Sequence, residues 1–349
     1  MRQDAMKRLG GSGIKVSPMG MGCWAIGGPF KVGQWDTKIP FQNAENAPLG
    51  WGDVNDNESI SAIHAAIYHG VTFFDTADIY GTGHSEELLG KALVGRRNEV
   101  IIATKFGLEY NAKTQEWIGM NGHPEYVRQA LEKSLQRLNT DYIDLYQFHV
   151  GTYPLSDARA TRDVLEQLVD EGKIRTYGWS TDDVDCAKVF TEGPNCSTIQ
   201  QELNVMTGNI DLLDLCEDSD MASIARSPLA MGLLTGKFNQ STIFPENDVR
   251  HNNMTVWKWF TKDGHPKKEY LDKLDKMHNV LRSNGRTLAQ GAISFLWGLS
   301  PIVIPIPGFR SVQQVEENCK AMVYGPLTEN EVMDLEILAG HKHHDVHHH

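Results

Sequence analysis

Eight short apolar runs, many of them β-branched, alternate with eight helical patterns along this chain of 349 residues. No other feature constrains the fold as much. Met19–Cys23 precedes Glu58–Tyr68, Val71–Asp75 precedes Ser85–Leu93, Val100–Thr104 precedes Pro124–Leu138, and Tyr142–His149 precedes Ala158–Glu171. The series continues with Ile174–Trp179 before Val184–Phe190, Thr198–Gln200 before Ile210–Cys216, Met221–Ala225 before Lys267–Arg282, and Ile302–Ile306 before Val312–Ala321. Strands that alternate with crossover helices pair in parallel, and eight such units suit an α/β fold closed into a single (β/α)8 TIM barrel. One domain over residues 7–340 is expected, with flexible ends at 1–6 and 341–349. Lys7–Leu9 and Ile14–Val16, split by a Gly-rich turn, read as an N-terminal β-hairpin plugging the bottom of the barrel. Thr287–Leu299 and Thr328–Leu338 read as two extra helices outside the repeat. The long connections, residues 27–57, 106–123 and 227–266, all follow strands, so they gather at the C-terminal face, where barrel active sites lie.

Composition removes several classes of function. Lys+Arg number 33 against 45 Asp+Glu, a net charge of −12, which disfavours nucleic acid as a partner. No apolar stretch approaches the roughly 18 residues needed to span a membrane, and Met1 to Met6 carry no signal-type apolar run. The five cysteines, Cys23, Cys186, Cys196, Cys216 and Cys319, are odd in number and scattered, without Cys-x-x-Cys. That pattern points to a reduced cytoplasmic setting and to no metal site. The His-rich last nine residues read as a tag or a disordered end and are left out of the fold.

The chemistry concentrates at three consecutive strand ends. Phe74-Asp75-Thr76-Ala77-Asp78-Ile79-Tyr80-Gly81 ends a strand in a carboxylate, with a tyrosine in the turn five residues on. Ala103-Thr104-Lys105-Phe106-Gly107 places a lysine at the exit of the next strand, and Tyr146-Gln147-Phe148-His149 a histidine at the exit of the one after. A free tyrosine, with a pKa of about 10, is a poor proton donor at neutral pH. An ammonium about 4 Å away at an effective dielectric of about 20 is worth roughly 4 kcal/mol, enough to bring the phenol into range for general acid–base work. Asp75 would hold Lys105 charged and in place, and His149 would orient a carbonyl oxygen toward Tyr80. A lone lysine at a strand end is ordinarily solvated and a lone tyrosine in a turn ordinarily packs; the order and placement of all four carry the signal.

FDTADIYGTGHSE, ATKFG and YQFH together resemble the tetrad motifs of the aldo-keto reductases, and the resemblance runs from about Lys7 to Leu338. It implies Asp75, Tyr80 as proton donor, Lys105 and His149 as catalytic residues, with NADP as cofactor and a small carbonyl compound or alcohol as substrate. Ile306-Pro307-Gly308-Phe309-Arg310-Ser311 closes the last strand; a Gly turn entering a helix presents N–H groups to an anion, and Arg310 can fork onto phosphate. The resemblance assigns Gly308, Arg310, Gln314, Glu317 and Asn318 to the adenosine 2′-phosphate and adenine. It assigns Ser180 and Thr181, in Gly178-Trp179-Ser180-Thr181, and Gln200, in Gln200-Gln201-Glu202, to the nicotinamide carboxamide. Ser227, Leu229 and Lys237 fall in its pyrophosphate loop. Arg226 stands where many members stack an aromatic on nicotinamide, and a planar guanidinium can stack as well. The branch with long loops is similar to bacterial members acting on glyceraldehyde and related polyols. Other relatives bind NADPH as potassium-channel regulatory subunits with little turnover; those carry Asn at the position of His149, so His149 implies an enzyme.

Gly20-Met21-Gly22-Cys23-Trp24-Ala25 also fits the dinucleotide pattern G-x-G-x-x-A of a Rossmann unit. No helical pattern begins there, because Gly27, Gly28 and Pro29 continue as loop, and no tyrosine has a lysine four residues on. Within the resemblance this segment, with Cys23 and Trp24, brings backbone close to the cofactor. Tryptophans crowd the C-terminal-face loops at positions 24, 35, 51, 117, 257 and 259. An aromatic-walled mouth suits small carbonyl compounds, with Trp24 and Trp51, beside Tyr80 and His149, as the expected substrate contacts.

Overall fold

The computed structural model describes residues 6–35, 44–252, 254 and 258–342. Eight strands form one sheet: Gly20–Gly22, Phe73–Asp75, Ile101–Phe106, Ile143–Phe148, Ile174–Ser180, Cys196–Glu202, Ala222–Arg226 and Val303–Pro305. They lie in chain order, every neighbouring pair parallel. The first and last strands meet where Gly22 bridges Gly308 and the Gly22 N–H donates to the Pro307 carbonyl at 3.0 Å, closing the barrel. A Cβ at Gly22 would stand 2.7 Å from the Ile306 carbonyl oxygen. The glycines that imitate a Rossmann motif therefore serve closure, and among the described residues the next helix starts at Asp56.

Strands covered on both faces are buried throughout, as in Ile143–Phe148, where four apolar residues are joined by the buried Asp144 and Gln147. Helix starts are written into the sequence as caps. Asn55, Asp183, Asn209 and Ser311 accept hydrogen bonds from first-turn N–H groups, while Thr287 and Thr328 build reciprocal capping boxes. The N-terminal hairpin, Lys7–Arg8 against Lys15–Val16, is antiparallel and sits at the N-terminal end of the barrel. Its Leu9, Ile14 and Val16 join Phe73, Leu145, Ile224 and Ile304 in one buried cluster, each such side chain worth about 1.5–3 kcal/mol of burial.

Two features differ from the sequence reading. The helix that packs against the last strand is Leu288–Leu299, and Lys268–Leu281 is the outer one, packed with Glu329–Ala339. The reason is amphipathicity: Lys268–Leu281 buries only Leu274, Met277 and Leu281, whereas Leu288–Leu299 is buried nearly all round, as a helix between barrel and outer layer must be. Second, the expected loops after the first and third strands form a three-stranded sheet of Lys31–Val32, Leu108–Asn111 and Glu116–Met120. Asn111 caps the turn of this flap by accepting from the N–H groups of Lys113 and Thr114. The five cysteines are unpaired and buried, and among the described residues no helix is long and apolar enough to cross a membrane. The expected flexible ends lie mostly outside the described residues, as does Trp257.

Candidate active site

Strand alternation sends Asp75, Lys105, Gln147 and Gln200 into the barrel axis at its C-terminal end, all buried. Lys105 is fully enclosed and spends its three protons on three acceptors. One goes to Asp75 Oδ1, one to the Thr76 carbonyl at 2.8 Å, and one to Tyr80 Oη at 3.2 Å. The second oxygen of Asp75 accepts from the amides of Gln147 and Gln200, each at 2.9 Å. Tyr80 Oη thus accepts a hydrogen bond from Lys105, which leaves its own hydrogen to donate outward.

Burial pulls the Lys105 ammonium down, but the charges of Asp75 and Tyr80 together hold it above the ordinary lysine value. For Tyr80, burial pushes the phenol up, Lys105 pulls it back, and the net direction is upward. The expectation that Lys105 brings the phenol down into working range is therefore corrected: desolvation outweighs the cation. Tyr80 is a protonated acid held against a permanent ammonium.

The His149 ring lies edge-on to Tyr80 at 5.9 Å between centroids, and its Nδ1 is buried without a partner among the described residues. Burial first, then the charges of Lys105 and Arg226, hold the imidazole well below its usual pKa, so it is neutral. The linkage has a definite sign. As pH falls through about 6.5 the unfolded chain takes up a proton that folded His149 refuses, so stability is lost on acidification. His149→Asn is expected to flatten the fall of Tm between about pH 6.5 and 5 while weakening carbonyl turnover and sparing dinucleotide affinity. Thermal melts across that range, with turnover of the same samples, check it; a parental acid slope or full turnover would remove His149 from this role.

Tyr80 and His149 open onto a cavity of about 860 Å³. Trp24 stacks 6.1 Å from Tyr80, with Trp51 edge-on to it at 5.2 Å. Of the sequence-predicted residues, Cys23, Trp24, Trp51, Asp75, Ser180, Gln200, Arg226, Ser227, Leu229, Lys237, Gly308, Arg310, Gln314, Glu317 and Asn318 line this cavity. Thr181 does not: its hydroxyl donates to the Gly151 carbonyl at 2.6 Å and its N–H to the Gln200 carbonyl, so it supports the wall from behind. Gln200 also differs from expectation, because its amide nitrogen is committed to Asp75 and to Gln147 Oε1. Among the other tryptophans, Trp117 lines the cavity, Trp35 packs edge-on to it at 4.7 Å, and Trp259 is buried in the core.

At its far end the cavity holds a donor set that suits an anionic dinucleotide. Helix Val312–Tyr324 begins there under Ser311, and Arg310 and Lys237 supply cations. Lys237 spans 3.6 Å to Glu317. Arg310 is not the free fork expected: it donates to the carbonyls of Trp51, at 3.0 Å, and Asp53, strapping the opposite loop. Ser227, Ala230 and Met231 have left-handed backbone, strain concentrated in the loop beside Lys237.

Sequence reasoning missed Gln147, Asp182, Glu202 and Lys258. Gln147 was legible as a polar residue inside an apolar strand. Asp182 meets Arg226 only in space, through an ion pair, and Glu202 pairs in the same way with Lys258 at 3.1 Å.

The aldo/keto reductase family model matches residues 45–339. An NADH-specific methylglyoxal reductase of Escherichia coli is 29% identical over 90% of this chain and 92% of its own. A glycerol dehydrogenase of Gluconobacter oxydans superposes with a TM-score of 0.78 at 29% identity, covering 99% of this chain and 98% of that one. An aldo/keto reductase of Klebsiella pneumoniae, solved with NADP and acetate, gives 0.67 at 25% identity over 97% and 96%. With a family model spanning most of the barrel and the buried Asp–Lys–Tyr chain at its C-terminal end, this chain belongs to the aldo/keto reductase family.

Proposed function

We propose that this oxidoreductase reduces the carbonyl group of small aldehydes and ketones with NADPH, and oxidises the corresponding alcohols in reverse. The observation that carries the reading is the buried chain Asp75–Lys105–Tyr80, which delivers one outward-facing phenolic proton beside a neutral His149. NADPH, when bound, supplies the hydride. Ser180 lines the cavity where it would hold the carboxamide, Lys237 would hold the pyrophosphate, and Gly308 to Asn318 the adenosine end. His149 orients the carbonyl oxygen toward Tyr80, Tyr80 protonates the oxygen as negative charge develops on it, and Lys105 stabilises the resulting phenolate. Trp24 and Trp51 exclude water over the reacting groups.

For the substrate, glyceraldehyde-like aldehydes and glycerol-like polyols are the finer reading. It is supported by the similarity to a glycerol dehydrogenase and by the charged wall of Asp182, Glu202, Arg226 and Lys258, which offers partners for hydroxyl groups. Steady-state NADPH oxidation with a panel of small aldehydes tests it. Turnover no faster than that of Tyr80→Phe would leave a dinucleotide-binding module in place of an enzyme.

Cofactor choice provides a separate check. The 2′-phosphate alone separates NADPH from NADH at Arg310, and a charge-assisted contact is worth roughly 1.5–3 kcal/mol, or about 10- to 150-fold. Because Arg310 shares its donors with Trp51 and Asp53, the lower end applies. Arg310→Ala is expected to weaken NADPH about tenfold and NADH far less, with the loss shrinking as salt rises. Fluorescence titrations of both dinucleotides at two salt concentrations read it; equal losses would mean that Arg310 does not sense the 2′-phosphate.

A further inference from the structure

A carbonyl that takes its proton from Tyr80 must at the same moment face the hydride-bearing carbon of the nicotinamide. The nicotinamide ring therefore has to come within a carbonyl's reach of Tyr80 and His149. The same stretch of cavity wall ends the seventh strand in Arg226. Asp182 anchors this guanidinium, and Asp182 is itself held by accepting the Glu202 N–H at 2.8 Å. Both side chains line the cavity, and the guanidinium is the less exposed of the two, at 32% against 46%. The charge of Arg226 is felt at both the Tyr80 phenol, which it pulls down, and the His149 imidazole, which it pushes toward the neutral form. Beside this pair, Glu202 and Lys258 balance one another. The wall is thus neutral in sum, and of the Arg226–Asp182 pair it is the Arg226 charge that acts on the reacting groups.

Hydride transfer changes the charge of the nicotinamide: the ring of NADPH is neutral, and loss of a hydride to the carbonyl carbon leaves a cationic ring in NADP+. A fixed cation at this wall interacts differently with the two forms. Resting on the NADPH reading above, we propose that Arg226 discriminates between the redox forms of the cofactor, disfavouring NADP+ relative to NADPH and so hastening release of the oxidised product during carbonyl reduction. The guanidinium keeps the planar, apolar face needed to pack on the ring, and adds a repulsion that acts only after the hydride has left. An aromatic side chain at this position would pack on both forms without that repulsion.

The discrimination is that of one charge at a partly exposed site, with an anionic partner reducing its reach, so about five- to tenfold in the ratio of dissociation constants is expected. Binding of NADPH and of NADP+ is measured by fluorescence titration and thermal shift in the parent protein and in Arg226→Gln, Arg226→Lys and Asp182→Asn, each first checked by melting to be folded. Arg226→Gln should tighten NADP+ relative to NADPH by that five- to tenfold factor. Arg226→Lys should keep the parental ratio. Asp182→Asn, whose amide oxygen still accepts from Glu202, should move the ratio the opposite way by unmasking the guanidinium. An unchanged ratio in folded Arg226→Gln, or equal losses for both forms, would overturn the proposal. Failure of either dinucleotide to bind the parent would overturn the cofactor reading itself, and the inference with it.

Discussion

Tyr80→Phe is expected to lower kcat by about 10³- to 10⁴-fold while changing the affinity for the dinucleotide by less than about threefold, since a positioned general acid contributes up to about that much. The substitution removes one oxygen and nothing else. The ring remains between Trp24 and the edge of His149, so the wall of the cavity keeps its shape. Lys105 loses one acceptor of three and keeps Asp75 and the Thr76 carbonyl, so the ammonium stays where it is. What disappears is the only proton that the buried chain directs outward, and that proton acts in the transition state rather than in binding. The loss should therefore fall on kcat, with KM little changed. Single-turnover and steady-state rates with one aldehyde, beside dinucleotide titrations, measure it; a loss below about tenfold in the folded variant would remove Tyr80 from the chemistry.

Lys105→Met is expected to damage both stability and chemistry. The buried Asp75 carboxylate would keep the amides of Gln147 and Gln200 but lose the Lys105 counter-charge, and breaking a buried pair on one side costs about 3–5 kcal/mol. Tyr80 would lose the cation that opposes the upward push of burial. The sign follows directly: the phenol would titrate still higher, so alcohol oxidation, which needs the phenolate, should begin at higher pH than in the parent. Chemical denaturation gives the stability change and the pH profile of alcohol oxidation gives the shift. Lys105→Met combined with Asp75→Asn is the companion variant, which keeps the test readable where the single substitution unfolds the barrel end. It removes the uncompensated charge and should recover most of the stability while staying inactive. An unchanged pH profile in a folded variant would make Lys105 a packing residue only.

Local patterning was enough to place the tetrad on three neighbouring strand ends. Asp75, Lys105 and His149 terminate apolar runs, and parallel strands in chain order must put consecutive termini side by side. The same pattern misassigned the helix before the last strand. Lys268–Leu281 has the stronger amphipathic stripe, which is what a surface helix shows, whereas Leu288–Leu299 conceals its role by being apolar on every side. The flap was missed for a related reason. Its strands are short, and of their apolar residues Leu108 and Trp117 line the cavity while Ile118 and Met120 are exposed, so their alternation is not tied to the repeat.

Period and order along the chain thus determined by themselves the barrel and the end at which Asp75, Tyr80, Lys105 and His149 meet, because each depends on the chain's own neighbours and on parallel strand pairing. The sign of the Tyr80 shift, the strap from Arg310 to the carbonyls of Trp51 and Asp53, and the pairing of Arg226 with Asp182 were decided only by the tertiary structure. Burial is a property of everything packed around a group, and an ion pair between residues 44 positions apart, or a hydrogen bond across 259, is set by loop closure in space. No local pattern encodes either, since the energy that selects them comes from desolvation and Coulomb interaction between segments that the sequence keeps far apart.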